Sequence, residues 1–410
     1  MKKFVAVAVV LAFVAGGAFA ISFSGDVMGQ INVMEGSSAD GDDDVVTGGS
    51  MVRARLTIEA ANADDTFGAL VRFQASGFGA PNAGVGTHTA LGWWQPIPMF
   101  WLGIGFDNNG LFDAQGNSRW MFYREASDMT TNPGNAWGWG YSLQGQLGWN
   151  VWDFGHAFYV GYTAPGLAMS IRPIPELSIN IGLPFIAGAV VQPAIPDGPL
   201  PEDPWWGGGS DAVSSNEIGD VFSAINLQAR FNQAWGSVAL TYRGSAEEYS
   251  PGSIFAYLNL RMIDNLDLDV GFGFHIRGED HPEDTHIGIG LAAQYNINPD
   301  FGIRTRFMFG LDTADYYNFN VVMFDVLPFF TLGGNITIFC SVGITVDMFG
   351  GNGDSESALN WHLNPWVEIG GEWMPRFFAG FRLWSTNFPG DNGDANFINW
   401  AVPIGLVINF

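Results

Sequence analysis

The sequence predicts an all-β chain folded as a single antiparallel transmembrane β-barrel of about 18 strands, in a range of about 16 to 20, with short periplasmic turns and long acidic external loops. Three observations carry that prediction. Apolar and polar residues alternate over runs longer than ordinary globular strands, short and long connections alternate between the runs, and no apolar stretch after residue 20 is long enough for a transmembrane helix. Composition agrees with this class. Of 410 residues, 47% are hydrophobic and 15% aromatic while only 14% are charged, which excludes a disordered chain. Forty-one acidic residues face sixteen basic ones, so no nucleic-acid partner is expected, because such a partner demands a basic patch. A single Cys removes disulfide frameworks, iron-sulfur clusters and Cys-type zinc sites.

The elements follow in chain order. Lys2 and Lys3, an apolar run from Phe4 to Phe19 and the triplet Ala18, Phe19, Ala20 have the three-part layout of a secretory signal peptide over residues 1–20. These are the only lysines, so the mature chain, 21–410, would carry 14 Arg against 41 Asp plus Glu and form one barrel domain. In the N-terminal half, strands are expected at about 22–34, 50–61, 66–76, 97–106, 118–126, 137–149, 153–162, 166–172 and 177–191. Two long connections are expected there, Gly77 to Pro96 with His88, Trp93 and Trp94, and the Pro-rich stretch from Gln192 to Asn216 with Trp205 and Trp206. Either could narrow a pore or lie across its mouth.

From residue 217 onward the rhythm is regular. Leu266, Leu268, Val270, Phe272, Phe274 and Ile276 share one face, opposite Asp267, Asp269, Gly271, Gly273 and His275. The same template fits 285–297 and 336–348. Short links near 232–234, 263–265, 297–300, 331–335 and 373–376 alternate with longer acidic or Gly-rich links at 244–252, 278–284, 312–318, 349–358 and 386–395. An antiparallel membrane barrel has this asymmetry between its two rims, and a soluble sandwich has no cause for it.

The last run ends at the last residue. Trp400, Val402, Ile404, Leu406, Ile408 and Phe410 alternate with Ala401, Pro403, Gly405, Val407 and Asn409. A terminal Phe preceded by alternating apolar residues resembles the C-terminal signature of bacterial outer-membrane β-barrel proteins, and large Gly-rich and aromatic-rich barrels with acidic loops look like general porins. The resemblance implies an outer-membrane location in contact with lipid, recognition of Ile404, Leu406, Ile408 and Phe410 by the barrel-assembly machinery, closure of the last strand on the first, and a homotrimer.

Polar placement supplies the functional expectations. Arg53, Arg55, Arg72, Arg261, Arg277, Arg304, Arg306 and Arg382 lie opposite the apolar stripe, as do the carboxylates Glu59, Asp267, Asp269, Glu368 and Glu372. Such groups would either set a field across a water-filled lumen or pair to brace its wall, and the two readings are compatible. Phe255, Tyr257, Phe339, Trp366, Phe378 and Trp384 are expected on the same inner face. Asp40, Asp42, Asp43 and Asp44, like His281, Glu283, Asp284 and His286, read as solvated loop residues, with a bound divalent or transition metal the alternative. No cofactor is expected. No nucleophile elbow or catalytic His pair is evident, so an enzyme is not expected either. The porin resemblance implies passive diffusion of small polar solutes, filtered by size and by lumen Arg and carboxylate charges. The alternatives are a surface adhesin or structural barrel whose external loops bind a ligand, and a channel for hydrophobic molecules.

Overall fold

The computed structural model describes residues 19–38, 46–76, 84–106, 166–184, 218–247, 250–276, 286–312, 318–351, 354–370, 375–388 and 395–410. Among them run β1 (Phe19–Ser37), β2 (Val46–Asn62), β3 (Phe67–Ser76), β4 (Gly84–Ile97), β5 (Phe100–Phe106), β6 (Gly166–Ile174) and β7 (Leu177–Pro184). A six-residue helix, α1 (Ile218–Ser223), precedes β8 (Asn226–Gln233), β9 (Gly236–Glu247), β10 (Ser250–Ile263), β11 (Leu266–Ile276), β12 (His286–Asn296) and β13 (Phe301–Asp312). The wall is completed by β14 (Asn318–Leu332), β15 (Ile336–Gly351), β16 (Asp354–Ile369), β17 (Arg376–Gly380), β18 (Arg382–Phe388) and β19 (Ala395–Asn409). Each strand pairs antiparallel with its neighbour, and β19 pairs with β1. Segments β17 and β18 keep one register against both β16 and β19, so they form one span interrupted at Phe381. The result is a closed barrel of eighteen spans with no free edge, the arrangement that satisfies every backbone ladder in lipid.

Closure is secured at the chain end. Gly25 N–H donates to the Phe410 carbonyl at 2.8 Å, and Phe410 N–H returns the bond to Gly25 at 3.0 Å. The Phe410 ring lies where a Cβ of Gly25 would project, and the Trp400 ring covers Gly36 in the same way. Two outward glycines on β1 thus receive two outward aromatics of β19, which sets the seam.

The two faces of the wall differ because it is curved. On the convex side, side chains splay apart, and Phe23, Ile31, Ile104, Leu240, Leu363 and Phe377 are exposed. Near the short-turn rim the outward residues include Trp94, Tyr295, Phe330, Phe377 and Phe410, an interfacial aromatic girdle. On the concave side, side chains converge and bury one another, so Asp269, Arg306, Asp325, Asn360 and Arg382 are nearly inaccessible although they face the lumen. The tight rim is built from turns such as Leu332–Ile336, where Gly333 and Gly334 adopt φ of 62° and 82°, values that glycine takes without strain.

Several expectations are corrected here. Gly77 to Pro96 is not one long connection, since Gly84–Ile97 is strand β4. Its pairing with β3 carries a bulge, Arg72 opposite Thr89 and Phe73 opposite Thr87, which leaves His88 as the extra residue. A bulge shifts the phase of the alternation, so no single period runs through β4. The strand expected at 97–106 therefore starts only at Phe100, and the one expected at 177–191 is described as Leu177–Pro184. The links at 244–252 and 349–358 are largely strand, because β9 and β15 run on to Glu247 and Gly351 while β10 and β16 begin at Ser250 and Asp354. Beyond the bilayer both faces of a hairpin meet water, so polar and glycine residues continue the ladder. The strands expected at 118–126, 137–149 and 153–162 lie outside the described residues, as does Gln192–Asn216, and β5 pairs directly with β6.

Candidate functional site: the inward wall of the barrel

Antiparallel register sets which inward side chains meet. Ala292, Arg306, Asp325, Gly343, His362 and Trp384 form one row across β12 to β18. Within it the Arg306 guanidinium donates to Asp325 Oδ2 from Nε at 3.0 Å and also from Nη2, a fully buried ion pair. The other carboxylate oxygen, Oδ1, faces His362 Nε2 at 3.7 Å across Gly343. A Cβ at Gly343 would collide with both groups, so the glycine is what lets a carboxylate and an imidazole two strands apart come together. Ser341 Oγ lies 2.9 Å from the same His362 nitrogen. Ser, His and Asp are the residue types of a hydrolytic triad, but here both partners approach one ring nitrogen, whereas a relay uses the two on opposite sides. Beside them the Arg382 guanidinium stacks on the Trp384 ring at 4.1 Å.

Closer to the short-turn rim the same sector turns apolar. Leu327, Phe339, Trp366, Phe378 and Val407 form a buried cluster flanked by Phe329. Phe329 pairs with Phe339 and Phe339 with Trp366 in register, which sets their spacing at one interstrand step. Phe339 and Trp366 are stacked at 4.7 Å between centroids, so the rings stand against one another and bury their faces. Inward glycines make the room: the ring of Phe329 lies over Gly302 and that of Phe378 over Gly405. The Arg304 guanidinium sits over Phe329 at 5.0 Å, and Trp366 Nε1 donates to Glu368 at 3.1 Å.

The opposite sector is a carpet of amides and hydroxyls. Asn180 Nδ2 donates to Gln228 Oε1 at 2.9 Å, and Gln228 Nε2 donates to Thr241 at 3.1 Å. Asn259 Nδ2 donates to Asp267 at 2.9 Å and to Asp269 at 2.7 Å, while Tyr257 Oη donates to Asp269 at 2.6 Å. Arg261 lies 3.7 Å from Asp267 with its side chain largely exposed to solvent.

The inward residues expected from sequence are distributed as follows. Arg55 donates to Gln74 at 2.7 Å, Arg72 to Thr57 at 2.9 Å and Arg304 to Gln294 at 3.0 Å, each a cross-strand brace. Glu59 shares the inward face of β2 with Arg55 and Thr57, and Arg53 is in register there with Met28 and Ser76. Arg306 and Arg382 are buried within the wall. Arg277 and Glu372 lie outside the described residues, as do Asp40, Asp42, Asp43, Asp44, His281, Glu283 and Asp284. These side chains do not gather at one locus. They form a brace along β2 and β3, a carboxylate cluster on β10 and β11, and the charged row from β13 to β18. Asp325, His362, Ser341, Asn259 and Gln228 were not expected at the site, since only the register, with the gap at Gly343, brings them to it.

At the level of sequence no protein-family model matches the chain, and neither does any curated protein. Solved structures do match. An anion-selective porin from Comamonas acidovorans superposes with a TM-score of 0.52 at 10% identity, covering 96% of this chain and 100% of that one. The fold is that of a bacterial outer-membrane porin. OmpF of Salmonella typhi, solved with daunomycin, gives 0.50 at 9% identity over 95% of this chain and 97% of that one. At such identities the likeness to these porins is one of fold, and what the barrel does has to be argued from its own wall.

Proposed function

We propose that this porin-like barrel is an outer-membrane channel for passive diffusion of small polar solutes, sorted by size and by the charges of its inward wall. One observation carries the reading: the inner face is braced by Arg, carboxylate, amide and hydroxyl pairs while the outer face is continuously apolar. A wall of this kind suits a water-filled interior, and a barrel of about eighteen strands is wide enough for an aqueous channel. The aromatic stack near the turn rim supports a path for apolar solutes less well, because Trp366 and Phe378 already bury their rings in the stack. Export through residues 1–20, assembly through Ile404, Leu406, Ile408 and Phe410, and a homotrimer belong to the same proposal. In support of the assembly role, these four residues share the outward face of β19 and its end, where the seam closes. Protein refolded into planar bilayers is expected to give discrete ohmic conductance steps. Folded barrels that insert without conducting would overturn the channel and favour a ligand-binding surface protein.

A further inference from the structure

On β6, β7 and β8 two successive inward rows differ in what they leave open. Ser170, Asn180 and Gln228 stand in one register row, and all three are buried. Asn180 donates to Gln228 and Gln228 to Thr241, so the amides of that row are engaged within the wall. One step nearer the turns the inward residues are Arg172, Ser178 and Arg230, with Ser178 directly opposite Arg230. Arg172 and Pro173 together face Ser178, a bulge between the pairs Ile171–Ile179 and Ile174–Leu177. Arg172 is exposed, and Ser178 and Arg230 are half-buried. The Arg172 backbone N–H donates to the Met99 carbonyl at 2.8 Å, while its guanidinium makes no hydrogen bond or ion pair among the described residues. Nor does it fold back onto the wall, since Ser170 Oγ, the next inward group of β6, is buried without a hydrogen-bond partner. Arg230 Nε donates to Asn232 Oδ1 at 3.0 Å, which orients that guanidinium from the turn side. Its row neighbour on β9 is Ala239, too small to cover it.

We propose that Arg172, Ser178 and Arg230 form a binding subsite for small phosphate-bearing anions at the short-turn mouth of the lumen. Neighbouring strands lie about 4.8 Å apart, so the two arginines stand roughly 10 Å apart at their roots with Ser178 between them. Long side chains approaching from either side can close on one anion over the hydroxyl. Each guanidinium presents a planar fork matched to a pair of oxygens, and the serine adds a donor between the forks. Two cations against one dianion leave no charge unmatched, whereas chloride offers a single acceptor atom and a monocarboxylate engages one fork. The bulge contributes by re-aiming Arg172 relative to the ladder, and Pro173, which has no N–H to pair, suits that position. Carboxylates do not compete for these forks. Asp267 and Asp269 stand on β11, three strands from Arg230, and accept from Asn259 and Tyr257. Glu176, in the turn between Ile174 and Leu177, makes no ion pair with Arg172 and accepts through its backbone carbonyl from Asn232 N–H at 2.8 Å.

The subsite deepens the channel reading and rests on it only for its part in passage, so binding is measured apart from conduction. Equilibrium dialysis of labelled inorganic phosphate against the refolded full chain in detergent micelles, at about pH 8 and about 0.1 M potassium chloride, is expected to show saturable binding of one phosphate per barrel. Arg172→Gln and Arg230→Gln are each expected to weaken it about tenfold or more, and Ser178→Ala about threefold. Arg172→Lys keeps the charge and removes the fork, and is expected to weaken binding by about threefold or more. Heat resistance of the folded barrel on electrophoresis checks each variant, and the lysine variant is the readout least exposed to a folding defect. In planar bilayers, phosphate added on the short-turn side should lower the chloride current with the half-saturation found by dialysis. Conducting barrels that bind no phosphate, or binding that survives both Arg172→Gln and Arg230→Gln, overturn the subsite and leave the channel intact. Barrels that bind phosphate through these residues but do not conduct overturn the channel and leave the subsite standing.

Discussion

Between Asp325 and His362 the register interposes Gly343, and a methyl group there would occupy the space that the carboxylate and the imidazole share. This contact shows what can be read from residue types and what cannot. The inward direction of Arg306 and Arg382 follows from their parity within an alternating strand. Their partners do not, because a cross-strand pair depends on register, and register depends on turn and bulge geometry that residue identity leaves open. The Arg306–Asp325 pair has a testable energetic signature, since an unpaired charge in a dry wall is far more costly than an apolar pair of similar volume. Asp325→Ala, which removes the carboxylate that the Arg306 guanidinium faces, is expected to lower stability by about 3–5 kcal/mol, whereas Arg306→Met combined with Asp325→Leu should lie close to wild type. Denaturant unfolding of the lipid-embedded barrel measures both, and equal losses in the two variants would show that the ion pair itself is the source of stability.

At the scale of elements, strand detection depended on whether the two faces differ in polarity. In β11, β12 and β15 most of the lumen face is Gly, Asp, Gln, Thr or Ser, and the period of two is plain. In β14 both faces are apolar, with Leu327 and Phe329 inward and Phe324 and Phe330 outward, so Asp325 gave no sign of being the centre of a charged row. The inward apolar residues of β14, Leu327 and Phe329, belong to a cluster completed by Phe339, Trp366, Phe378 and Val407 on four further segments. The stack therefore ties the interrupted span of β17 and β18 to its neighbours at the end where β17 has only five residues. Trp366 sits in the middle of it, stacked on Phe339 and hydrogen-bonded to Glu368. Trp366→Ala opens a cavity beside Phe339, and Phe378 cannot move in to fill it without leaving its seat over Gly405. A loss of about 3–5 kcal/mol is expected, read as a lower unfolding midpoint at unchanged slope. A loss under about 1 kcal/mol would mean that the rings are packed too loosely to act as a brace.

For the whole molecule, the decisive property is that inside and outside are different solvents separated by one layer of backbone. Two glycines isolate this difference from packing. Gly29 of β1 faces outward and Gly86 of β4 faces inward, opposite Leu406 and Gln74 respectively, and a Cβ at either would meet no atom within 4 Å. An arginine placed at each site therefore meets little steric resistance at its root, and the environment decides the outcome. At Gly29 the guanidinium must snorkel through the apolar belt, and Gly29→Arg is expected to cost roughly 2 kcal/mol, falling toward zero nearer an interface. At Gly86 the same group enters the lumen near the long-loop rim, where Gly86→Arg should leave stability within about 0.5 kcal/mol of wild type. That lumen charge should raise the chloride-to-potassium permeability ratio by about twofold through its field in the pore. Unfolding midpoints and reversal potentials on the same two proteins test the orientation of the wall in one experiment. Were Gly86→Arg the destabilised variant and Gly29→Arg the one with altered permeability, the assignment of faces would be inverted, and with it the reading of every inward residue from Arg55 to Arg382.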